Sequence, residues 1–462
     1  MKTIANGHRL PHARFLDRGL TLAGTRPDDA DRLSVLQRAS AEWRDEVLAR
    51  LPGSERSKLL GSTAVDVEQI RQHRTGPVYD VDFGALPVGK TYSGKTAHAM
   101  AVLAQRAYEA YGVSGSDPAS VGDAGQELAR QGWAVRYIGK PPPGACLGDV
   151  SYSAQAFVAV KDGRALISAR GTEPDRPEDL LVDAEAWRTT FAGSKGEAHA
   201  GFVRSVEQLW PDIERVLVEE QAKLPAGQTL SVRLTGHSLG AAIATLLAAR
   251  IEGQLPLKAS IDGVYLFGAP RVFDDAGAAD FDTRLGSVTY RLVNNRDIVT
   301  ELGPEALGYR HVGLPMYFDA RGALGLAFDS SRVEKDRVMT ALSLEGPAKL
   351  LVQGGEVEPL WDHGMHGYVK HTFLREGEDP FTGASAKRAL DEILRASGPT
   401  AKVRRTAVMF LSALQDGERT KVLFRAKPQV ARTLQALTKD DSAEASVLRG
   451  WLEGIPGRMS PG

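Results

Sequence analysis

Residues 231–245 read SVRLTGHSLGAAIAT, and no other stretch limits the possible folds of this chain so strongly. Val232 and Leu234 alternate with polar neighbours, which is the period of a strand. From Ala241 to Arg250 the residues are mostly Ala and Leu, strong helix formers. A strand must therefore turn directly into a helix. Two backbones that approach so closely leave no room for side chains at the contact, and Gly236 and Gly240 stand there. Such a turn lifts one side chain, Ser238, clear of the backbone. A plain glycine–serine loop shares the same five residues; a reactive serine differs from it in needing partners elsewhere in the chain.

Composition narrows the setting. The 462 residues suffice for one large domain with appendages, or for two or three domains. Basic and acidic residues nearly balance, 57 against 58, so the global charge does not call for nucleic acid. Hydrophobic residues make up 42%, enough for a large core without covalent staples. A single cysteine, Cys146, excludes an intramolecular disulfide and fits a reducing compartment. Met1–Leu20 carries Arg9, Arg14, Asp17 and Arg18 and no apolar core of leader length, and no apolar run reaches spanning length. The expectation is a cytoplasmic protein, exported, if at all, by a signal-independent route.

Residues 1–93 read as a mostly helical extension. Leu33, Leu36, Trp43, Val47 and Leu51 share one face of a helix over Asp29–Leu51, and Thr63–His73 is a second, more polar helix. Gly89–Thr96 then spells G-x-x-x-x-G-K-T, the spacing of a phosphate-cradling loop. The preceding Tyr79–Phe83 puts Asp80 and Asp82 where a buried parallel strand is apolar, and no acidic strand for a metal follows. The loop reads better as the cap of a helix over Ala97–Tyr111, with nucleotide binding as the weaker alternative.

Strands follow over Gln131–Gly139, Ala154–Val160 and Arg164–Ala169, the last two joined by a hairpin turn at Lys161-Asp162-Gly163. Pro177–Trp187 is amphipathic and reads equally as a mobile cover or a surface helix. His199–Glu220 is a long helix with Phe202, Val206, Leu209, Ile213 and Val216 on one face. Beyond the serine turn come strands at Ile261–Phe267, Ser287–Val293 and Tyr309–Phe318, then an irregular insertion over 319–360. Alternating strands and helices imply an α/β fold with a mostly parallel sheet, helices on both faces, and a main domain over 94–375. Residues 376–462 form a basic, helical C-terminal extension. Its stripe of Val403, Ala407, Phe410, Leu411 and Leu414, and a second of Val430, Leu434 and Leu437, either meet lipid or a protein partner or, the favoured reading, pack on the main domain.

A serine hydroxyl needs a base, and the base an orienting acid. On α/β-hydrolase sheets these follow in the order serine, acid, histidine. Downstream of Ser238 stand His311, His363, His366 and His371. Asp297 lies just past a strand, at the carboxyl edge where open sheets bind ligands. His363 and His366 both lie near the start of a helix before Tyr368, and spacing alone does not choose between them. Two backbone amides must also face the developing oxyanion. One belongs to Leu239, directly after the serine; Gly171-Thr172, at the end of an early strand, fits the other.

Five blocks in order then resemble the class 3 lipases, a family of fungal triacylglycerol lipases with bacterial and plant relatives. They are Arg170-Gly171-Thr172 with Asp179–Asp183 in the lid position, His199-Ala200-Gly201-Phe202, Gly236-His237-Ser238-Leu239-Gly240, Phe267-Gly268-Ala269-Pro270-Arg271, and Asn294–Val299 with Tyr309–Gly313. The resemblance covers roughly residues 94–375. It implies an α/β-hydrolase acting on lipid esters through Ser238, Asp297 and His363, with Thr172 and Leu239 as oxyanion donors and no metal or cofactor. His363 is preferred over His366 because Asp362–Tyr368 reads D-H-G-M-H-G-Y, similar to the D-H-S-M-x-x-Y of bacterial members. His199, His237 and His311 match non-catalytic family positions. Ala169 replaces the family's aromatic before R-G-T, and Leu180 a common lid tryptophan. A catalytically silent interaction protein on the same fold is the competing class. The flanking extensions and the lack of a leader also raise a bacterial toxin-like lipase delivered to membrane phospholipid.

Overall fold

The computed structural model describes residues 78–109, 122–139, 154–171, 187–253, 257–295, 297–319, 322–328, 363–395 and 400–455. The helices expected at Asp29–Leu51 and Thr63–His73, Cys146, Thr172, most of Pro177–Trp187 and most of the 319–360 insertion lie outside these residues. The chain divides into two compact units, 1–81 and 82–462. Of the first, only a turn at 78–81 is described. Every described strand and helix belongs to the second.

In chain order the second unit contains α1 (Gly94–Glu109), α2 (Gly122–Arg130), β1 (Ala134–Ile138), β2 (Ala156–Lys161), β3 (Arg164–Ala169), β4 (Arg188–Thr190), β5 (Glu197–His199), α3 (Ala200–Gln221), β6 (Leu230–His237), α4 (Leu239–Gly253), β7 (Ala259–Phe267), α5 (Asp275–Leu285), β8 (Thr289–Asn294), β9 (Leu314–Phe318) and β10 (Leu324–Leu326). The C-terminal helices are α6 (Met365–Leu374), α7 (Gly383–Arg395), α8 (Ala401–Ala413), α9 (Asp416–Phe424), α10 (Pro428–Ala436) and α11 (Ala443–Glu453). No helix among the described residues is long and apolar enough to cross a membrane.

Eight strands form one sheet in the order β1-β2-β3-β6-β7-β8-β9-β10. The five from β3 to β9 run parallel; β1, β2 and β10 extend the edges antiparallel. This is the mostly parallel sheet of an α/β-hydrolase. Alternation sorts its residues. Val158, Ile167, Val232, Leu234, Val264 and Leu266 face a core shared with α3 and α4. On the other face Ser168 and Thr235 donate to the Leu103 and Met100 carbonyls of α1, and Phe267 meets Tyr368 of α6 edge-on. Helix α4 is apolar all round because it is enclosed: Gly240 to Ala249 is buried without a break, between the sheet and α3.

The C-terminal stripes are core. Val403, Ala407, Phe410, Leu411, Leu414, Val430, Leu434 and Leu437 are all buried, and α8 packs on α5, α7 and α11. The phosphate-loop spelling has no cradle. Among the described residues no strand precedes Gly89, and a Cβ on Gly94 would stand 2.3 Å from the Glu376 carbonyl oxygen. The backbone of Arg375 and Glu376 sits where a phosphate would have to approach the helix start.

Candidate active site

The serine turn is as tight as its glycines require. A Cβ on Gly236 would stand 2.2 Å from the Gly240 oxygen, and one on Gly240 would stand 2.2 Å from the Ala169 oxygen. Between them Ser238 has a φ of 58°, a left-handed conformation that costs a non-glycine residue about 1–2 kcal/mol. The turn is held from both sides: the Ser238 amide donates to the Phe267 carbonyl at 3.0 Å, and its own carbonyl accepts from Ala241 at 3.0 Å. Leu239 opens α4, so its N–H belongs to the first-turn amides that have no partner inside the helix. The contact of Gly240 with Ala169 and Arg170 brings the end of β3, and with it Gly171, beside that amide.

Asp297 follows β8 and caps the 3-10 turn Ile298–Glu301, its Oδ1 accepting from the Val299 amide at 3.0 Å. His363 stands two residues before α6. Its Nδ1 lies 2.9 Å from each Asp297 oxygen. A carboxylate only accepts, so Nδ1 carries a proton and Nε2 is the nitrogen left for proton transfer. Tyr368, one turn into α6, donates to Asp297 Oδ2 at 2.6 Å. Burial alone would push the Asp297 carboxyl up. The charge of His363 and the hydrogen bonds from His363 and Tyr368 outweigh it and hold the group below the usual carboxylate range. Gly268 makes the arrangement possible: with a φ of 57° it passes beneath the pair, where a Cβ would stand 2.5 Å from Asp297 Oδ2 and 2.9 Å from His363 Nδ1.

His237, the residue before the serine, stacks on His363 with ring centroids 4.3 Å apart. Its Nε2 donates to the His363 carbonyl at 2.6 Å, and its Nδ1 meets the Tyr108 hydroxyl at 2.8 Å. The structure thus brings His363 to Asp297 and sets both beside the Ser238 turn. It does not hydrogen-bond the Ser238 hydroxyl to the ring, a contact that often forms only with substrate. His366 sits in the first turn of α6, while both Asp297 oxygens are taken by His363. His199 stands directly before α3 and stacks on Phe202. Thr172 lies outside the described residues.

Three residues of this site carried no role in the sequence. Tyr368 was legible only as the last letter of D-H-G-M-H-G-Y. Tyr108 was legible only as one more apolar residue of the helix expected over Ala97–Tyr111. Gly268 was visible as part of F-G-x-P-R, without a reason for the glycine.

Residues 166–306 match the family model described as Lipase (class 3). The matched segment is similar to class 3 lipases, the family that the motif blocks resemble. A secreted mono- and diacylglycerol lipase of Fusarium solani is 28% identical over 214 residues, 44% of this chain and 56% of that protein. A lipase of Rhizomucor miehei is 34% identical over 166 residues, 35% of this chain and 44% of that protein. The chain thus spans about half the length of these curated relatives. Among solved structures, a lipase from Rhizopus microsporus var. chinensis aligns with a TM-score of 0.38 and 26% identity, over 50% of this chain and 78% of that one.

Two expectations need correction. The cytoplasmic assignment does not stand, because relatives from Fusarium solani and Malassezia restricta are named as secreted lipases. It rested on the composition of Met1–Leu20, on the single cysteine and on the absence of a spanning apolar run, none of which reports where the relatives' lipase segment acts. The bacterial setting is contradicted by relatives that are fungal.

Proposed function

We propose that this protein is a serine ester hydrolase of lipids. Ser238 is the nucleophile, His363 the base, Asp297 the orienting acid, and the amides of Leu239 and Thr172 bind the oxyanion. The observation that carries the reading is the His363–Asp297 pair, Nδ1 2.9 Å from both oxygens, beside a serine held at positive φ.

His363 Nε2 takes the Ser238 proton as Oγ bonds to the ester carbonyl carbon. The carbonyl electrons move to the oxygen facing the two amides. Asp297 stabilises the imidazolium and keeps Nδ1 protonated. On collapse the ester C–O bond breaks, and the proton passes from Nε2 to the departing alcohol. Water then attacks the acyl-serine, giving its proton to His363, and the fatty acid leaves with Ser238 restored.

The relatives named as mono- and diacylglycerol lipases support glycerol esters as substrates. Phospholipid is the competing class, and product analysis on defined glycerides and phospholipids separates the two. The test of the chemistry is Ser238→Ala: short-chain ester hydrolysis and labelling by a serine-directed phosphonate should vanish while thermal unfolding is unchanged. Hydrolysis surviving in that variant would refute the proposal.

A further inference from the structure

We infer that His237, braced by Tyr108, is the positioning residue that fixes the base, the nucleophile turn and the oxyanion loop relative to one another. The inference rests on the hydrolase reading and adds to it a residue that the sequence assigned no chemistry.

The geometry leaves the His237 ring one arrangement. A carbonyl oxygen only accepts, so Nε2, 2.6 Å from the His363 oxygen, carries a proton. Burial, and next the neighbouring His363, push His237 down to about 3, so the ring is neutral and Nδ1 holds a lone pair. Burial pushes the Tyr108 hydroxyl up, so it stays protonated and donates to Nδ1 at 2.8 Å. Every polar atom of the ring then has a single partner and a single role.

Each partner belongs to a different part of the site. Through Nε2 the ring holds the backbone of His363, whose side chain is held separately by Asp297. The base is therefore fixed at two points, which a loop ahead of α6 would not achieve through its ring alone. Through its own peptide bond His237 carries Ser238. The third part is Gly171: a Cβ there would stand 2.2 Å from the Tyr108 hydroxyl and 2.6 Å from the His237 carbonyl oxygen. Gly171, the residue before Thr172 in the sequence, is thus seated on the same two residues. An uncharged ring is also suited to lie 4.3 Å from His363, which becomes a cation in the reaction, because a second cation there would oppose the proton transfer.

The test compares the wild type, Ser238→Ala, His237→Phe and Tyr108→Phe by kcat and KM on a soluble p-nitrophenyl ester, by phosphonate labelling rate and by thermal unfolding. His237→Phe keeps a stacking ring and removes both hydrogen bonds. Its kcat and labelling rate should fall about 100-fold, as for a displacement of the reacting groups near 1 Å. Its KM should stay within about threefold, because no substrate contact is lost. Tyr108→Phe removes one hydroxyl and tests the same coupling should the first variant fold poorly; a fall in kcat of roughly tenfold is expected. Wild-type kcat in either folded variant overturns the inference, as does a loss that only tracks the folded fraction or appears in KM. A wild type inert to both ester and phosphonate overturns the hydrolase reading itself, and this inference with it.

Discussion

Tyr368 donates its hydroxyl proton to Asp297 Oδ2 across 2.6 Å and accepts the amide proton of Asn294 at 3.0 Å. The acid is thus anchored by the same helix that follows the base. Tyr368→Phe removes a bond to a charged group and takes away an acceptor of the buried Asn294 amide. Stability should fall by about 1–3 kcal/mol and kcat/KM by roughly tenfold or more. The pH dependence follows from the lowered Asp297 carboxyl. A depressed carboxyl stabilises the fold above its unfolded pKa, and that contribution is lost as pH falls through the folded value. Without Tyr368 the carboxyl moves up, so the acid-side loss should be smaller and should be complete at higher pH. Urea unfolding from neutral to acid pH checks this; coincident profiles for the two proteins would contradict it.

Gly268→Ala should be far more damaging than its size suggests. The new methyl would lie 2.5 Å from Asp297 Oδ2 and about as close to the His363 ring, at a φ of 57° that L-residues avoid. Backbone strain of about 1–3 kcal/mol is one cost, read as a lower Tm. The other is displacement of His363 from Asp297, for which a fall in kcat of about 100-fold is expected. An alanine variant with wild-type turnover would mean that the pair tolerates movement which the spacing here forbids.

The parts of this fold that follow from local rules were legible in the sequence. The strand–turn–helix around Ser238 was, because period, propensity and paired glycines all agreed over 231–245. Arg164–Ala169 was read with the bounds it has as β3, since a hairpin turn and alternation fixed both ends. What failed was long-range. Tyr108 and His237 are 129 positions apart and meet only once α1 lies on β6. Edge strands such as β10, three residues long, have no periodicity to detect. The 89–96 spelling left two readings open for a related reason: a short motif does not state whether backbone from residue 376 will cover it.

Asp282 on α5 gives a pH dependence of opposite sign to that of Asp297. Burial raises its carboxyl to about 7, against the lowering effect of the Gly313 amide at 2.7 Å and of Arg405 and Arg291. Between the unfolded value and about 7 the folded chain holds a proton that the unfolded chain has released. Stability therefore declines as pH rises through that window. Asp282→Asn keeps an oxygen for the Gly313 amide and cannot ionise. It should be more stable than the wild type at pH 8 than at pH 5, by at least ~1 kcal/mol of difference. Denaturant midpoints at the two pH values decide it, and an equal offset at both would exclude Asp282 as the titrating group.

Lys95→Ala separates the helix-capping and phosphate-cradling readings of Gly89–Thr96. The loop is bound into the fold by its carbonyls: Lys90 accepts from the Tyr290 hydroxyl at 3.0 Å and Gly89 from Arg233 at 3.2 Å. The start of α1 faces the Arg375 and Glu376 backbone, so the lysine adds only a charge near Glu376, whose carboxyl burial raises and Lys95 lowers. The variant should match the wild type within about 0.5 kcal/mol, as for a surface substitution, with unchanged ester hydrolysis. A ligand at 100 times its Kd would stabilise the fold by about 2.7 kcal/mol. Millimolar nucleotide with magnesium should therefore leave both melting curves where they are. A nucleotide-dependent rise in Tm that Lys95→Ala abolishes would require the backbone of 375–376 to move off the helix start, and would reinstate the phosphate-binding reading.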